Sequence, residues 1–293
     1  MKYAWINEHR DEFPVKAMCR VLRVSTSGFY ASRNREPSAT QQRRQVIAEA
    51  AEAAYRENHG IYGYRKVYDE LQEQKIDCCR ETVRKVMREK GLVSRVKRKF
   101  VVTTDSNHNH PVAPNTLDRN FQADAPNQKW TADITYITTR QGWLYLAVVM
   151  DLFSRRIVGW SMAASLEATL VLDALRMALT HRQPPPGLLH HSDRGSQYAG
   201  HEFQDLLQSQ GIVCSMSRRG NCYDNAPTES FFGKLKSEWV HGEDYQTHDQ
   251  ARQHLFHYIE VFYNRQRKHA ALDYLSPDAF ENRYQLNQHQ MVA

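Results

Sequence analysis

A chain of 293 residues, 41% hydrophobic and 25% charged, has the make-up of an ordinary soluble protein with two domains, or one domain and an extension. Its longest uninterrupted apolar run, 143–150, is far too short to cross a bilayer, its amino terminus lacks the apolar core of a signal peptide, and its five cysteines form no C-x-x-C pair, so no membrane span, secretory leader, zinc knuckle or disulfide framework is expected, and a reduced, cytoplasmic compartment is the simplest reading. The net charge of +6 is uneven: residues 1–100 hold 22 Lys and Arg against 13 Asp and Glu, and the remainder holds 17 against 20.

A basic front joined to a weakly acidic remainder fits a nucleic-acid handle on an enzyme, with a merely soluble basic domain as the plainer alternative. Within residues 1–35, Val15, Ala17, Met18, Val21 and Leu22 make an apolar helical face. Ser25-Thr26-Ser27 then offers a cap for a second short helix through Phe29 and Tyr30. Two short helices about a tight turn suggest a helix-turn-helix, a pattern shared by many small helical hairpins. A polar stretch, Arg33 to Thr40, leads to a helix over 41–58. The run His59-Gly60-Ile61-Tyr62-Gly63-Tyr64-Arg65 turns into a second helix carrying Val67, Tyr68 and Leu71. A third helix, Arg80 to Lys90, closes at Gly91. It puts Val83, Val86 and Met87 on one side and Arg80, Arg84, Lys85 and Arg88 elsewhere, as expected of a helix lying in a groove or along phosphates; a solvated face is the alternative. Arg95, Lys97, Arg98 and Lys99 add four cations in five residues, a phosphate-backbone contact. Residues 101–126, with Pro111, Pro114 and Pro126, read as a linker, and His108-Asn109-His110 within it carries no motif.

From Lys129 the texture changes. Trp130–Thr139 alternates and is rich in β-formers; Gly142 turns the chain into 143–151, and Ser154-Arg155-Arg156 into 157–162, an antiparallel meander. Then follow a helix over 167–181, a break at Pro184-Pro185-Pro186-Gly187, a short buried strand over 188–191, a helix over 199–210 and a strand over 212–216. Asp224 and Asn225 offer an N-cap, with Pro227 in the first turn, for a helix carrying Glu229. The order βββ-α-β-α-β-α predicts an α/β fold with a mixed five-stranded sheet flanked by helices. A long helix over 247–265 and a short one from Ser276-Pro277-Asp278 complete the chain.

Three acids occupy informative places. Asp133 lies in the first strand, on the face opposite Ala132 and Ile134. Asp193 follows the fourth strand, and Glu229 sits on the helix after the fifth, with Lys236 seven residues on along the same face. Sites in α/β sheets form outside the carboxyl ends of strands. A carboxylate in a central strand is costly unless paired or metal-bound, so Asp133 needs a cation. Magnesium suits three carboxylates, and two ions about 3.5–4 Å apart would serve a phosphodiester displacement. Each acid also has a plain reading: Asp133 paired with a lysine, Asp193 shaping a turn beside Gly195, and Glu229 with Lys236 a solvated pair. Asp151 and Asp224 compete for the same role.

The segments Trp130-Thr131-Ala132-Asp133-Ile134-Thr135-Tyr136, His191-Ser192-Asp193-Arg194-Gly195-Ser196-Gln197-Tyr198 and Asp224-Asn225-Ala226-Pro227-Thr228-Glu229-Ser230 resemble the signature of OrfB transposases of bacterial insertion sequences, the family numbered three. Thirty-five residues separate Asp193 from Glu229, the D-D-35-E pattern. The tail Tyr263-Asn264, Arg267, His269, Leu272, Ser276-Pro277 and Phe280 is similar too, as are the front helices with Gly63-Tyr64-Arg65. The resemblance implies an RNase H-like, retroviral-integrase-like core over 127–245. Before it come an N-terminal helical segment over 1–40, a helix-turn-helix domain over 41–100 and the linker; after it comes a helical extension over 246–293. It implies a magnesium-dependent (Mn2+-tolerant) DDE enzyme that cuts insertion-sequence ends and transfers the freed 3′-hydroxyl to target DNA. Asp133, Asp193 and Glu229 would hold the metal, and Lys236 would bind a phosphate near the scissile bond. Arg194 would do so or form a structural ion pair, and Arg65, Arg80, Arg84 and Lys85 fall in the DNA-binding part. It further implies a homo-multimer bridging terminal inverted repeats, and a frameshift fusion with an upstream OrfA-type protein. His191 and the tryptophans Trp130 and Trp143 are expected to pack in the core. A DNA-binding regulator with an inactive acidic core, and a structure-specific nuclease without strand transfer, are the competing readings.

Overall fold

The computed structural model describes residues 2–34, 37–94, 112–218 and 222–292. Arg95, Lys97, Arg98, Lys99 and the run 108–110 lie outside them. The front of the chain holds three short helices where two were expected: α1 (Lys2–Glu8), α2 (Val15–Val21) and α3 (Thr26–Asn34). Ile6, Met18, Cys19 and Phe29 close a small core among them. The extra helix is α1, whose one buried residue, Ile6, gives no amphipathic period to read in advance.

Next comes a three-helix unit, α4 (Ala39–Glu57), α5 (Tyr64–Glu73) and α6 (Arg80–Glu89). A capping box starts α4: the Ser38 hydroxyl accepts from the Gln41 amide, and the Gln41 side chain accepts from the Ser38 amide at 2.9 Å. Val83, Val86 and Met87 turn inward on α6 and meet Val67 and Leu71 of α5 and Ile47, Ala51 and Ala54 of α4. The same periodicity leaves Arg80, Arg84, Lys85 and Arg88 on the exposed side.

The central sheet has β1 (Lys129–Thr139), β2 (Gly142–Asp151), β3 (Ile157–Ala163), β4 (Leu189–Ser192) and β5 (Val213–Met216), in the order β3-β2-β1-β4-β5. The meander β1-β2-β3 is antiparallel; β4 and β5 join β1 in parallel. This is the expected mixed five-stranded sheet, with β1 at its centre. Period-two alternation sorts its side chains onto two cores. Trp130, Ala132, Ala147 and Val149 face α7 (Ala168–Arg182), α8 (Ser196–Ala199) and α9 (His201–Ser209). Ile137, Leu144, Leu146, Val148 and Met150 face α10 (Ala226–Leu235) and the carboxyl-terminal helices. Residues 112–126, in the stretch expected as a linker, run along the sheet: Leu117 is buried, and the Thr116 and Leu117 amides donate to Ser215 Oγ at 2.9 and 3.1 Å.

The long helix predicted over 247–265 is α11 (His248–Phe256) continued without a break by a π-helical stretch, His257–Gln266. The wider turn buries Tyr258, Ile259, Phe262 and Tyr263 together. Asn264 closes the start of β3 as a strand neighbour would: its Oδ1 accepts from the Ile157 amide and its Nδ2 donates to the Ile157 carbonyl, both at 3.0 Å. Ser276 opens the last helix, α12 (Pro277–Val292), which runs 16 residues where a short one was expected. It is anchored by Arg182, which reaches both Glu281 of α12 at 2.7 Å and Asp151 of β2 at 3.2 Å. Of the two tryptophans expected in the core, Trp130 is fully buried, but Trp143 is 48% exposed, set edge-on to Tyr136 at the start of β2.

The closest packing in the sheet is where α7 crosses β3. A Cβ at Gly159 would stand 2.2 Å from the Ala174 carbonyl oxygen and 2.7 Å from the Ala178 nitrogen. Both are helix backbone and cannot rotate away. Gly159→Ala is therefore expected to cost about 3 kcal/mol, read as a lower urea midpoint with the same slope; an unchanged midpoint would contradict this packing.

Candidate active site

The parallel pairing of β1 with β4 sets the first two acids. Thr131 stands opposite His191. Asp133 lies two residues beyond Thr131, and Asp193 two beyond His191, so both stand at one level of the sheet, where β4 has ended and β1 runs on to Thr139. Asp193 follows Ser192, the last residue of β4, and its Oδ1 accepts from the Gly195 amide at 2.9 Å. The third acid is brought by α10, which is bolted to β1. Thr131 Oγ1 and Thr228 Oγ1 share a fully buried hydrogen bond of 2.7 Å, and Asn225 Nδ2 donates to the Ala132 carbonyl at 3.0 Å. Glu229 follows Thr228 directly. The expected side-chain cap is absent: Asn225 Nδ2 is held by β1 while its Oδ1 accepts from no helix amide, and Pro227 in the first turn removes a donor that would need a cap.

Asp133 is half-buried in β1, and its carboxyl is held well above the usual carboxylate range. Burial is the main cause, followed by the charge of Asp193; Glu229 adds to it, while the Ile134 amide (2.8 Å from Oδ1) and Lys236 oppose it. Burial also raises Glu229. Lys236 is lowered by burial and supported by Asp133, and its Nζ lies 4.7 Å from the Tyr136 ring centre. Thus Asp133, Asp193, Glu229 and Lys236 share one electrostatic neighbourhood, although β1, β4 and α10 are far apart in the chain.

The competing acids are engaged elsewhere. Asp224 is buried and accepts from Arg218 Nη2 at 2.8 Å, Arg119 Nε at 3.0 Å and Asn115 Nδ2 at 3.0 Å, and hydrogen bonding to Arg218 holds it far below the usual range. Asp151 accepts from the Asn127 and Phe153 amides at 2.8 and 2.9 Å and pairs with Arg182. Arg194 donates to the Ser217 carbonyl at 2.5 Å. His191 packs as expected: buried, pushed down to about 4 by burial, and hydrogen-bonded to Ser215 and Ser217 at 2.8 and 3.0 Å. Arg65, Arg80, Arg84 and Lys85 belong to the helical unit before the sheet. Arg80 stacks over Tyr68 at 5.2 Å, Arg84 pairs with Glu81 at 2.7 Å, and Arg65 donates to the Tyr64 hydroxyl at 3.3 Å.

Three groups near the acids went unassigned in the sequence. Thr131 and Thr228 act as the clamp between strand and helix. Tyr198 is fully buried below the acids; its proton is held by burial and by the charges of Asp133 and Asp193, and its hydroxyl has no partner among the described residues. Only a pairing across the fold identifies such residues; nothing local distinguishes these threonines.

Among the described residues no group of three or more His, Cys, Asp or Glu stands close enough to hold a metal ion. The donor chemistry nonetheless suits a hard divalent cation: carboxylate oxygens with no nitrogen or sulfur, no arginine or lysine in contact with Asp133, and an unpartnered buried Asn225 Oδ1 beside β1.

Three family models match the chain: an HTH-like domain over residues 41–100, an integrase core domain over 123–222, and a second integrase core domain over 229–284. The chain is 45% identical over 285 residues to transposase InsF for insertion sequence IS3A of Escherichia coli, covering 97% of this chain and 99% of that protein. It is 44% identical over 276 residues to a 31 kDa protein of insertion element IS600 from Shigella sonnei, covering 94% and 100%. Among solved structures it is similar to a simian T-cell lymphotropic virus intasome chain, at 15% identity and TM-score 0.46 over 79% of this chain and 74% of that one, too distant to add to the relatives.

With Asp133 raised by its surroundings, the metal-free fold is most stable where Asp133 keeps its proton, and loses stability as pH rises through that raised value. Asp133→Asn is expected to raise the melting temperature in chelator by about 2–4 °C at neutral pH, for ~1 kcal/mol relieved, with a smaller gain at pH 5. A lower melting temperature at neutral pH would show that the carboxylate is compensated.

Proposed function

The chain belongs to the transposases of the IS3 family of insertion sequences, and on that footing we propose that it cuts and joins DNA with Asp133, Asp193 and Glu229 as its catalytic acids. It is a DDE-type polynucleotidyl transferase acting in DNA transposition, with a divalent metal requirement. The observation that carries the assignment of residues is Asp133: an acid in the central strand, made costly by burial and by two further acids, and met by no cation within ion-pair distance among the described residues, Lys236 easing it only from further off.

A divalent cation held by these carboxylates would make the attacking oxygen more acidic and neutralise charge on the phosphodiester. We infer two such ions, magnesium with manganese as a substitute. The chain's own residues then divide the remaining work. The Thr131–Thr228 and Asn225–Ala132 bonds fix Glu229 relative to Asp133. Lys236, tethered over Tyr136, supports a phosphate near the scissile bond. In the first reaction water attacks at the end of the element and frees a 3′-hydroxyl; in the second that hydroxyl attacks a phosphodiester of the target and its 3′-oxygen leaves.

The same reading divides the chain into an N-terminal segment (1–40), a helix-turn-helix domain (41–100), a linker (101–126), the catalytic core (127–245) and a helical extension (246–293). It gives the terminal inverted repeats to Arg65, Arg80, Arg84 and Lys85, with Arg95, Lys97, Arg98 and Lys99 on the phosphate backbone, and Arg194 near the acids. It places the protein in the cytoplasm, as a homo-multimer on DNA, and as one half of a frameshift fusion with an upstream OrfA-type protein. No helix among the described residues is long and apolar enough to cross a membrane.

Glu229→Gln is expected to lower metal-dependent cleavage of a labelled element end by at least about 100-fold, more than loss of a supporting group costs, while end binding in a gel-shift assay stays within a few-fold. Cleavage at the wild-type rate would remove Glu229 from the site. Lys236→Ala should slow cleavage and lower the slope of log affinity against log salt by about 0.9, one phosphate contact. An unchanged slope and rate would remove its phosphate role. Joined products from a pre-cut 3′-hydroxyl end separate a transposase from a nuclease without strand transfer.

A further inference from the structure

Past Asp133, β1 carries a second group of side chains in mutual contact. β1 pairs with β4 over Lys129–Thr131 alone, while its pairing with β2 continues to Thr139, so beyond Thr131 its other edge has no neighbouring strand among the described residues. Tyr136 stands three residues past Asp133, about 10 Å along the strand. Lys236 Nζ rests 4.7 Å from the centre of the Tyr136 ring. The same ring meets Trp143 of β2, centre to centre at 4.6 Å with the planes at 81°. Strand register sets this contact: Tyr136 stands opposite Tyr145 and Thr138 opposite Trp143, so Tyr136 and Trp143 are diagonal neighbours on one face of the hairpin.

A single exposed aromatic is ordinary on a protein surface, but Trp143 is neither loose nor remote. Its ring is braced by Tyr136, and the Tyr136 ring in turn carries the Lys236 ammonium through a cation–π contact. With this bracing Trp143 is still 48% exposed, so about half of a fixed indole faces solvent. Laid end to end, the two contacts put the indole centre within about 9 Å of Lys236 Nζ. A nucleotide whose phosphate sits on Lys236, or the next one along the strand, reaches that far, at ~3.4 Å of rise per nucleotide. Arg140, in the hairpin turn, is already paired with Asp244 at 2.8 Å, so what the tip of the hairpin adds is aromatic surface. A cation for the backbone with a ring beside it for the base is the pairing by which proteins hold unpaired nucleic acid.

We propose that Trp143 is a stacking surface for one unpaired DNA base next to the phosphate that Lys236 supports, with Tyr136 fixing both the indole and the ammonium. A base lies flat on the indole only when it has left the duplex stack, so the subsite favours DNA that is opened beside the scissile bond. Every base has a π-face, so the contact holds the strand without reading its sequence. It lies along β1 from the acids and steadies the strand on one side of the bond to be broken. Either the element end or the target can supply the base, and the two present the same chemistry. The subsite rests on the DNA-directed reading above and on the place of Lys236 within it.

The test uses the full chain with Trp143→Ala and, as the conservative variant, Trp143→Phe; Trp143→Thr, a strand former without a ring, takes the place of the alanine variant should that fail to fold. Binding is measured by fluorescence anisotropy over a salt series without divalent metal, so that it stays readable even if the catalytic assignment fails. The probes are an element-end duplex with a few unpaired nucleotides at the cleavage position, the same duplex fully paired, and a branched duplex in which the end is already joined to target DNA. Trp143→Ala is expected to weaken binding of the opened end by about tenfold, and of the paired end by less, with the salt slope unchanged because stacking releases no counterions. Trp143→Phe should stay within about threefold of wild type. Loss confined to the branched duplex assigns the base to the target instead of the element. Unchanged binding of all three probes overturns the subsite, as does a loss that Trp143→Phe shares in full or one that lowers the salt slope. A wild type that binds none of the probes overturns the DNA-directed reading and the subsite with it, whereas one that binds them but does not cut sinks only the catalytic assignment.

Discussion

One costly placement organises the middle of this fold, a carboxylate within the central strand of the sheet. Asp133 is half-buried, has two further acids as neighbours and, among the described residues, no cation within ion-pair distance, Lys236 acting from further off. Left alone, such a group takes up a proton, because protonation is cheaper than ionisation without compensation. On the role proposed for Asp133, an ion supplied from solution would reverse that balance, and stability and catalysis would pull in opposite directions at this position, as they commonly do in active sites.

The contrast with the other buried acids sharpens the point. Asp151, Asp224, Glu238 and Glu281 all sit inside or at the edge of the protein, and each has an arginine in direct contact. Those arginines join distant segments: Arg182 fastens α12 to β2, Arg218 and Arg119 close the approach to α10, and Arg267 fastens the tail to the end of α10. Where the fold needs a buried acid for structure, it provides a guanidinium with matching geometry. At Asp133 it provides none. The acids with arginine partners hold the scaffold, and Asp133, with no such partner among the described residues, is the one we propose for the chemistry.

The carboxyl-terminal stretch is part of the same device. Asn264 completes the hydrogen bonding at the start of β3, Tyr263 donates to the Arg155 carbonyl at 3.1 Å, and Arg267 neutralises Glu238. Tyr62 of the helical unit donates to the Gln266 carbonyl at 3.3 Å and accepts from the Lys268 amide at 2.9 Å. The tail lies between the helical unit and the core and touches both, so the front of the chain is oriented with respect to α10 by residues some two hundred positions later.

Much of this was legible in the residues. Alternating β-formers mark strands because side chains on a sheet alternate faces, and the five strands and the helices among them follow from that pattern. Acids inside strand one, just past the end of strand four and on the helix after strand five stand out because charge is rare at such places. Other features were not legible. The first helix has a single buried residue and no period. Trp143 begins a strand whose outer end is left in solvent, so an aromatic in a β-pattern is there exposed. Asn225 reads as a cap, yet its side chain is claimed by a carbonyl in β1, a partner 93 positions away.

By itself, then, the sequence determined the kinds of element and their order and singled out three acids as candidates, because propensity, alternation and the cost of burying charge act locally along the chain. The tertiary structure alone decided which acids come near one another and which are neutralised by arginine. Those depend on strand register, on the Thr131–Thr228 clamp and on contacts between segments distant in the chain, and no local pattern carries that information.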